Sequence, residues 1–197
     1  MSALDSSRHL VDVVIPAFNA ARYIDQTLAS VALQGDVIQS IIVVNDGSTD
    51  NTAQVIDAFC QKYPHLTVRL IHQENQGLAG ARNTGIKVAS APYIALLDAD
   101  DVWLDHKITT QLALFRETNN PKLGLVYCAY ALIDEQSKPI LGENLVIQPR
   151  LRGNIFSRLQ TGNFISGSGS GALIKSSVFQ AVGHFDETLV ASEDWDM

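Results

Sequence analysis

The sequence lacks what a disulfide scaffold, a membrane span or a nucleic-acid surface would need. It has two cysteines in 197 residues, Cys60 and Cys128. Each lies in an apolar stretch and reads as a reduced core thiol rather than half of a disulfide. No run of about 18 apolar residues occurs, so the sequence offers no transmembrane helix. Residues Met1 to Leu10 are polar and lack the apolar centre of a signal peptide. These absences lead us to expect a soluble, cytoplasmic protein, with peripheral contact at the inner face of the membrane left open. Nor does any basic run stand out. Fourteen basic against 21 acidic residues leave a net charge of -7, which excludes a broad nucleic-acid surface. An acidic chain that takes an anionic ligand needs local compensation from a metal ion, an arginine or a helix N-terminus.

With 46% hydrophobic and 18% charged residues, the chain has the composition of a packed globular protein rather than a disordered one. Short apolar runs alternate with helical patterns. Residues 11–15, 41–44, 68–71, 93–97 and 123–127 read as strands. Their near-continuous apolar character predicts burial on both faces. Between them, Val55, Ile56, Phe59, Cys60 and Tyr63 fall on one helical face, with Ser48, Thr49 or Asp50 as candidate caps. Leu78, Ala81, Arg82, Gly85, Ile86 and Ala89 form a second one-sided set, and Ile108, Leu112 and Phe115 a third. This alternation predicts an α/β fold whose mostly parallel central sheet has helices on both faces. Residues 131–170 carry no clear pattern, and Gly167-Ser168-Gly169-Ser170-Gly171 reads as a flexible turn.

Three polar clusters follow strands directly: Pro16-Ala17-Phe18-Asn19, Asn45-Asp46-Gly47-Ser48-Thr49-Asp50 and Asp98-Ala99-Asp100-Asp101. In a parallel sheet all three emerge at the C-terminal edge, where open α/β sheets bind ligands. Asp98 and Asp100, two residues apart on extended chain, would share a side. Their oxygens suit Mg²⁺ or Mn²⁺, and such an ion can bridge to a diphosphate. The segment Asn75 to Gly85 opens a helix with glycines and Arg82, which suits phosphate as well as it suits close packing with Arg82 paired to a surface carboxylate. Asp194, beside Glu193, Trp195 and Asp196, has neighbours able to raise its pKa, as a general base requires. A solvated acidic tail is the plainer reading of that cluster.

Taken in order, Val14-Ile15-Pro16-Ala17-Phe18-Asn19, Val44-Asn45-Asp46-Gly47-Ser48-Thr49-Asp50, Gly77-Leu78-Ala79-Gly80-Ala81-Arg82-Asn83-Thr84-Gly85, Leu97-Asp98-Ala99-Asp100-Asp101 and Gly183-His184-Phe185-Asp186-Glu187 to Glu193-Asp194-Trp195-Asp196 closely resemble the family-2 inverting glycosyltransferases. The resemblance implies a GT-A fold, a three-layer α/β/α sandwich. It implies a nucleoside diphosphate sugar as donor, usually a UDP-sugar, and a saccharide, lipid-linked or protein acceptor, as in polysaccharide biosynthesis. Pro16, Ala17 and Asn19 would belong to the donor site, with Pro16 and Ala17 lining base and ribose. Asp46 would meet the base and Arg82 would lie near the nucleotide. Asp98 would contact ribose or sugar and share with Asp100 the Mn²⁺ or Mg²⁺. Asp194 would deprotonate the acceptor hydroxyl, with Glu193 and Trp195 beside it. The Gly167–Gly171 loop would wall the acceptor side.

Two departures from the family pattern stand out. Asn45 occupies a position where many members carry Asp. The chain also stops at Met197, directly after the acidic cluster, where many members continue. The expected organisation is a polar tail over residues 1–10 and a glycosyltransferase domain over 11–197, truncated at its C-terminus. Two other readings compete. One is a nucleotide-binding fragment without turnover. The other is a haloacid-dehalogenase-type phosphatase, because Asp98-Ala99-Asp100-Asp101-Val102 formally fits that signature.

Overall fold

A computed structural model describes residues 9–118, 120–140, 145–162 and 169–189. Strands β1 (Val11–Ala17), β2 (Ile38–Asp46), β3 (Val68–Gln73) and β4 (Tyr93–Leu96) pair in parallel in the order β3-β2-β1-β4. Two further strands, β5 (Leu125–Tyr127) and β6 (Ala172–Lys175), complete a six-stranded sheet, with β6 antiparallel to both of its neighbours, β4 and β5. The mostly parallel sheet expected from the sequence is therefore present. Its one reversed strand, β6, lies in a stretch where no element was expected. β6 is four residues long and runs straight into a helix, so neither length nor a polar turn marks it.

Alternation along the strands divides the core in two. Val11, Val13, Ile15, Ile41, Val43, Ala95 and Leu97 face one layer. Helices α1 (Ile24–Ala32), α2 (Thr52–Lys62) and α4 (Lys107–Glu117) close it with Leu28, Phe59 and Leu112 among others. Val14, Ile42, Val44, Ile94 and Leu96 face the other layer. There, helices α3 (Gly77–Val88) and α6 (Ser176–Val182) supply Ala81, Ile86 and Phe179. The result is the three-layer sandwich expected above. Helix α1 was not among the expected elements, although its Ile24, Leu28 and Val31 repeat at helical spacing. Helix α2 is capped locally: Thr52 donates through its backbone N–H and its hydroxyl to Asp50 Oδ1, at 3.0 and 2.5 Å. A single short helix, α5 (Phe156–Leu159), and isolated antiparallel bridges occupy the described part of the unpatterned region.

Asp12 is the one carboxylate fully buried inside β1. It accepts hydrogen bonds from Ser40 Oγ at 2.6 Å and from the backbone N–H groups of Ser90 and Ala91 at 2.6 and 2.8 Å. These bonds offset the cost of burying its charge and fix the turn that leads into β4.

Helix α3 approaches the sheet unusually closely. A Cβ placed on Gly85 would lie 2.3 Å from Val14 Cγ1. Alanine there should therefore destabilise the fold by about 1–3 kcal/mol through overpacking, even though alanine favours an exposed helix over glycine by about 1 kcal/mol. Urea unfolding of Gly85→Ala checks this. Adding Val14→Ala should recover part of the loss, whereas a Gly85→Ala midpoint equal to the parent's would contradict the close approach.

Candidate active site

The chain leaves β1 for β2 and β3 on one side and returns to β4 on the other. The strand order therefore reverses between β1 and β4, and the crevice beyond their C-terminal ends is where such sheets bind ligands. All three polar clusters lie along this edge.

The first two clusters are tied to each other. Asn19 sits at φ 50°, and its Oδ1 accepts from the N–H groups of Thr49 and Asp50 at 2.8 and 3.3 Å. Its own N–H donates to Ser48 Oγ at 2.9 Å, and Ala20 N donates to Thr52 Oγ1 at 2.8 Å. Asn19 thus locks two loops together. Pro16 and Ala17 are buried, and Ala17 belongs to the core. Their side chains serve packing.

Asp46 is 3% exposed. Its Oδ1 accepts from Gln73 Nε2 at 2.7 Å and from Gln76 N at 2.8 Å, and its Oδ2 from Gly77 N at 2.9 Å. A carboxylate offers about four lone-pair sites, and three of them serve this chain. Through these bonds Asp46 pins the first turn of α3 to the end of β2. A carboxylate at a helix N-terminus satisfies orphan N–H groups and suits the helix dipole. Asn45 works locally too, its Oδ1 accepting from Ser48 N at 3.1 Å.

Arg82 is 1% exposed and pairs through Nη2 with Asp98 Oδ1 at 2.9 Å. Neither a surface ion pair nor a free phosphate fork describes it. The guanidinium lies inside, 5.5 Å from the Phe185 ring centre. Asp98 also donates its backbone N–H to Ser170 Oγ at 3.0 Å. Beyond Asp98 the chain turns, with Asp101 N donating to Asp98 O at 3.1 Å. The extended geometry assumed for Asp98 and Asp100 is therefore replaced by a tight turn. Its three carboxylates meet different surroundings. Asp98 is partly buried against Arg82, Asp100 is exposed, and Asp101 is partly buried. Burial holds the Asp101 carboxyl above its ordinary pKa. A hydrogen bond with Ser170 works against that shift, and the charges of Asp98 and Asp100 add to it.

Several site residues carried no signal in the sequence. Trp103 Nε1 donates to Ser170 O at 2.9 Å, and Gln111 Nε2 donates to Gly171 O at 2.9 Å. Residues 169–171 are thereby a buried, tethered 3₁₀ turn rather than a flexible loop. Gly167 and Ser168 lie outside the described residues, as do Glu193, Asp194 and Trp195. Among the described residues no group of three or more His, Cys, Asp or Glu side chains could hold a metal ion. The donor set that fits a cation is the exposed Asp100 with its neighbour Asp98, completed by ligand oxygens. Mg²⁺ often binds in that way, through one or two carboxylates and substrate phosphates. No helix among the described residues is long and apolar enough to cross a membrane.

With this geometry established, the chain can be placed among known proteins. Residues 12–183 match the model of glycosyl transferase family 2, and the chain belongs to that family. A glycosyltransferase of Rickettsia prowazekii (strain Madrid E) is 33% identical over 191 residues, covering 95% of this chain and 57% of that protein. The YibD glycosyltransferase of Escherichia coli (strain K12) is 42% identical over 96 residues, covering 49% of this chain and 27% of that protein. The chain thus spans little more than half the length of the Rickettsia relative. Among solved structures, a mannosyltransferase from Pyrobaculum calidifontis in complex with GDP-Man and Mn²⁺ superposes with a TM-score of 0.67 at 21% identity, covering 95% of this chain and 50% of that one. Residues 1–349 of S. aureus TarS in complex with UDP-GlcNAc give 0.65 at 21% identity, covering 94% of this chain and 51% of that one. The fold is that of the GT-A glycosyltransferases. Membership of this family removes the phosphatase reading of Asp98.

Lys107, the first residue of α4, generates a prediction. Its Nζ is buried without a hydrogen-bond partner and lies 4.1 Å from the Trp103 ring centre. Burial pushes its pKa down from 10.5 to about 7. Above pH 7 the folded chain releases a proton that the unfolded chain keeps up to about pH 10. Stability should therefore rise with pH across this window, by at most about 1.4 kcal/mol per pH unit. Lys107→Met should flatten this rise and exceed the parent in stability at pH 7 and below. Urea midpoints between pH 6 and 9 check it. A parent-to-variant difference independent of pH would contradict the burial of the charge.

Proposed function

We propose that this chain carries the donor- and metal-binding part of an inverting glycosyltransferase, which moves a sugar from a nucleoside diphosphate, UDP first among them, to an acceptor hydroxyl. The observation that carries the reading is the aspartate turn at the switch point, braced by a buried arginine and flanked by an exposed carboxylate, Asp100. The ligands named for the solved neighbours, GDP-Man with Mn²⁺ and UDP-GlcNAc, support a nucleotide-sugar donor. They leave the base to be tested.

In this reading the base and ribose rest against the loops at residues 16–19 and 45–50, and Asp46 acts by holding the start of α3. Asp100, with Asp98, would hold Mn²⁺ or Mg²⁺. Bound there, the cation would offset the charge of the departing diphosphate. Without it, each carboxylate–phosphate pair about 4 Å apart would cost about 4 kcal/mol at an effective dielectric near 20. The acceptor oxygen attacks the anomeric carbon from the face opposite the diphosphate. The new C–O bond forms as the bond to the diphosphate oxygen breaks, and the configuration inverts. Asp194 takes the hydroxyl proton, with Glu193 and Trp195 walling the acceptor beside it. Acceptor-dependent release of UDP from a UDP-sugar tests the whole scheme. Donor binding without turnover would favour the fragment reading.

Two substitutions divide the roles. Asp100→Ala should abolish the Mn²⁺-dependent stabilisation by UDP, about 2.7 kcal/mol at 100 times the dissociation constant, and leave the apo melting temperature nearly unchanged. Equal metal-dependent stabilisation in variant and parent would remove Asp100 from the metal site.

Asp194→Asn should lower turnover by about 10²–10⁴-fold, the usual contribution of a positioned base, while UDP affinity stays close to the parent's. Single-turnover kinetics beside UDP titration checks this, in whichever length of the protein shows transfer. Near-parental rates would refute the assignment.

A further inference from the structure

Charge is unevenly spread along this acidic chain. Residues 144–185 contain Arg150, Arg152, Arg158 and Lys175 but no aspartate or glutamate, although the chain as a whole carries 21 acidic residues. The three arginines lie in the excursion between β5 and β6, and the fold of that excursion sets how they are displayed.

The described part beyond residue 144 runs antiparallel to the segment that follows β5. Ile147 N donates to Tyr130 O at 2.8 Å, and Tyr130 N donates to Ile147 O at 3.2 Å. Four residues further on, the Tyr127 hydroxyl donates to Leu151 O at 2.9 Å and accepts from Leu151 N at 3.3 Å. Ile147 and Leu151 are half-buried, as are Ile155 and Leu159 at the two ends of α5. These four apolar residues recur at intervals of four and anchor the segment to the body of the protein.

The residues between the anchors are exposed. Val146, Arg150 and Arg152 stand an odd number of positions from Ile147 and Leu151. On extended chain they share the opposite side, and all three are open to solvent. Phe156, at the start of α5, is 68% exposed, and Arg158 is exposed as well. Four residues span at most about 14 Å, so Phe156 stays close to Arg152. Among the described residues no carboxylate pairs with Arg150 or Arg152. Arginines alone would suit any polyanion. A valine and a phenylalanine exposed among them gain nothing from a hydrophilic one, but they gain from a surface that is anionic outside and hydrocarbon beneath. The rest of this acidic chain is repelled by such a surface. An acid-free strip is the part that can come within a Debye length of it, about 8–10 Å at ordinary salt.

We propose that the exposed strip formed by Val146, Arg150, Arg152, Phe156 and Arg158 is a docking surface for an anionic lipid bilayer. The arginines meet the phosphate headgroups, and Val146 and Phe156 enter the layer below them. The inference is separate from the donor chemistry and does not depend on it.

Vesicle co-sedimentation of the whole chain tests it. Vesicles of phosphatidylcholine with about one-quarter phosphatidylglycerol should bind the chain, and pure phosphatidylcholine should bind it far less. Salt that shortens the Debye length from about 30 to about 8 Å should weaken the binding. Replacing both arginines, Arg150→Ala with Arg152→Ala, should lower affinity for the anionic vesicles on the order of 25-fold, about fivefold for each. The melting temperature should stay at the parent's, because neither side chain is tied to the fold. Phe156→Ser should lower affinity by roughly tenfold at low and high salt alike, since its part is apolar burial. Equal binding to the two kinds of vesicle, parental binding by the double arginine variant, or no binding to either vesicle would overturn the proposal. A chain that dimerises without vesicles and becomes monomeric once both arginines are replaced would assign the strip to a second copy, and would overturn it too.

Discussion

The absence of one methyl group at Gly85 governs how the site is assembled. Because α3 can lie against Val14, backbone and side-chain groups on its inner face reach partners elsewhere in the chain. Gly77 meets Asp46 at the end of β2, Arg82 meets Asp98 beyond β4, and Asn83 meets Phe185 after α6. These partners come from three distant parts of the chain. A helix displaced by the width of a side chain would strand a buried guanidinium and a buried amide, each costly when unpaired. The close approach is therefore coupled to the polar network, and each makes the other affordable.

The aspartate turn holds three carboxylates in three different surroundings. Arg82 neutralises Asp98 from inside. Ser170 hydrogen-bonds the Asp101 carboxyl, and its Oγ accepts from Asp98 N at 3.0 Å. Asp100 alone is turned outward. A buried ion pair of this kind contributes little net stability, since desolvation consumes most of the attraction. What it supplies is a fixed direction for the turn.

The fold was largely legible because its signals are local. The buried strands announce themselves as runs of β-branched residues, as in Val11–Ile15 and Ile41–Val44, and the edge on which the three polar clusters gather follows from parallel pairing alone. The site was legible in its residues but less so in their duties. Asp46 was expected to meet the base and Arg82 to lie near the nucleotide, and nothing in the sequence signalled the contacts both also make within their own chain. Strand periodicity cannot tell an aspartate that greets a ligand from one that caps a helix arriving from thirty residues away. Asp98 and Asp100 were placed on one side by an extended geometry that the turn abolishes. Trp103 and Gln111 were invisible, and Asn83 and Ser170 stood in motif or turn segments without these duties, for a related reason: each acts across 60 or more residues on a backbone group, and no spacing rule encodes such a contact.

Gln111 has a consequence of another kind. Its single amide nitrogen donates to Val126 O at 3.0 Å and to Gly171 O at 2.9 Å, which lie at the two mouths of the long excursion between β5 and β6. The excursion is stapled at its base from a neighbouring helix. Loop-closure entropy grows only slowly with length, so a tie at the base of a long connection matters more to the strands it joins than the number of residues between them. One side chain of α4 thus sets where the chain leaves the sheet after β5 and where it rejoins it before β6.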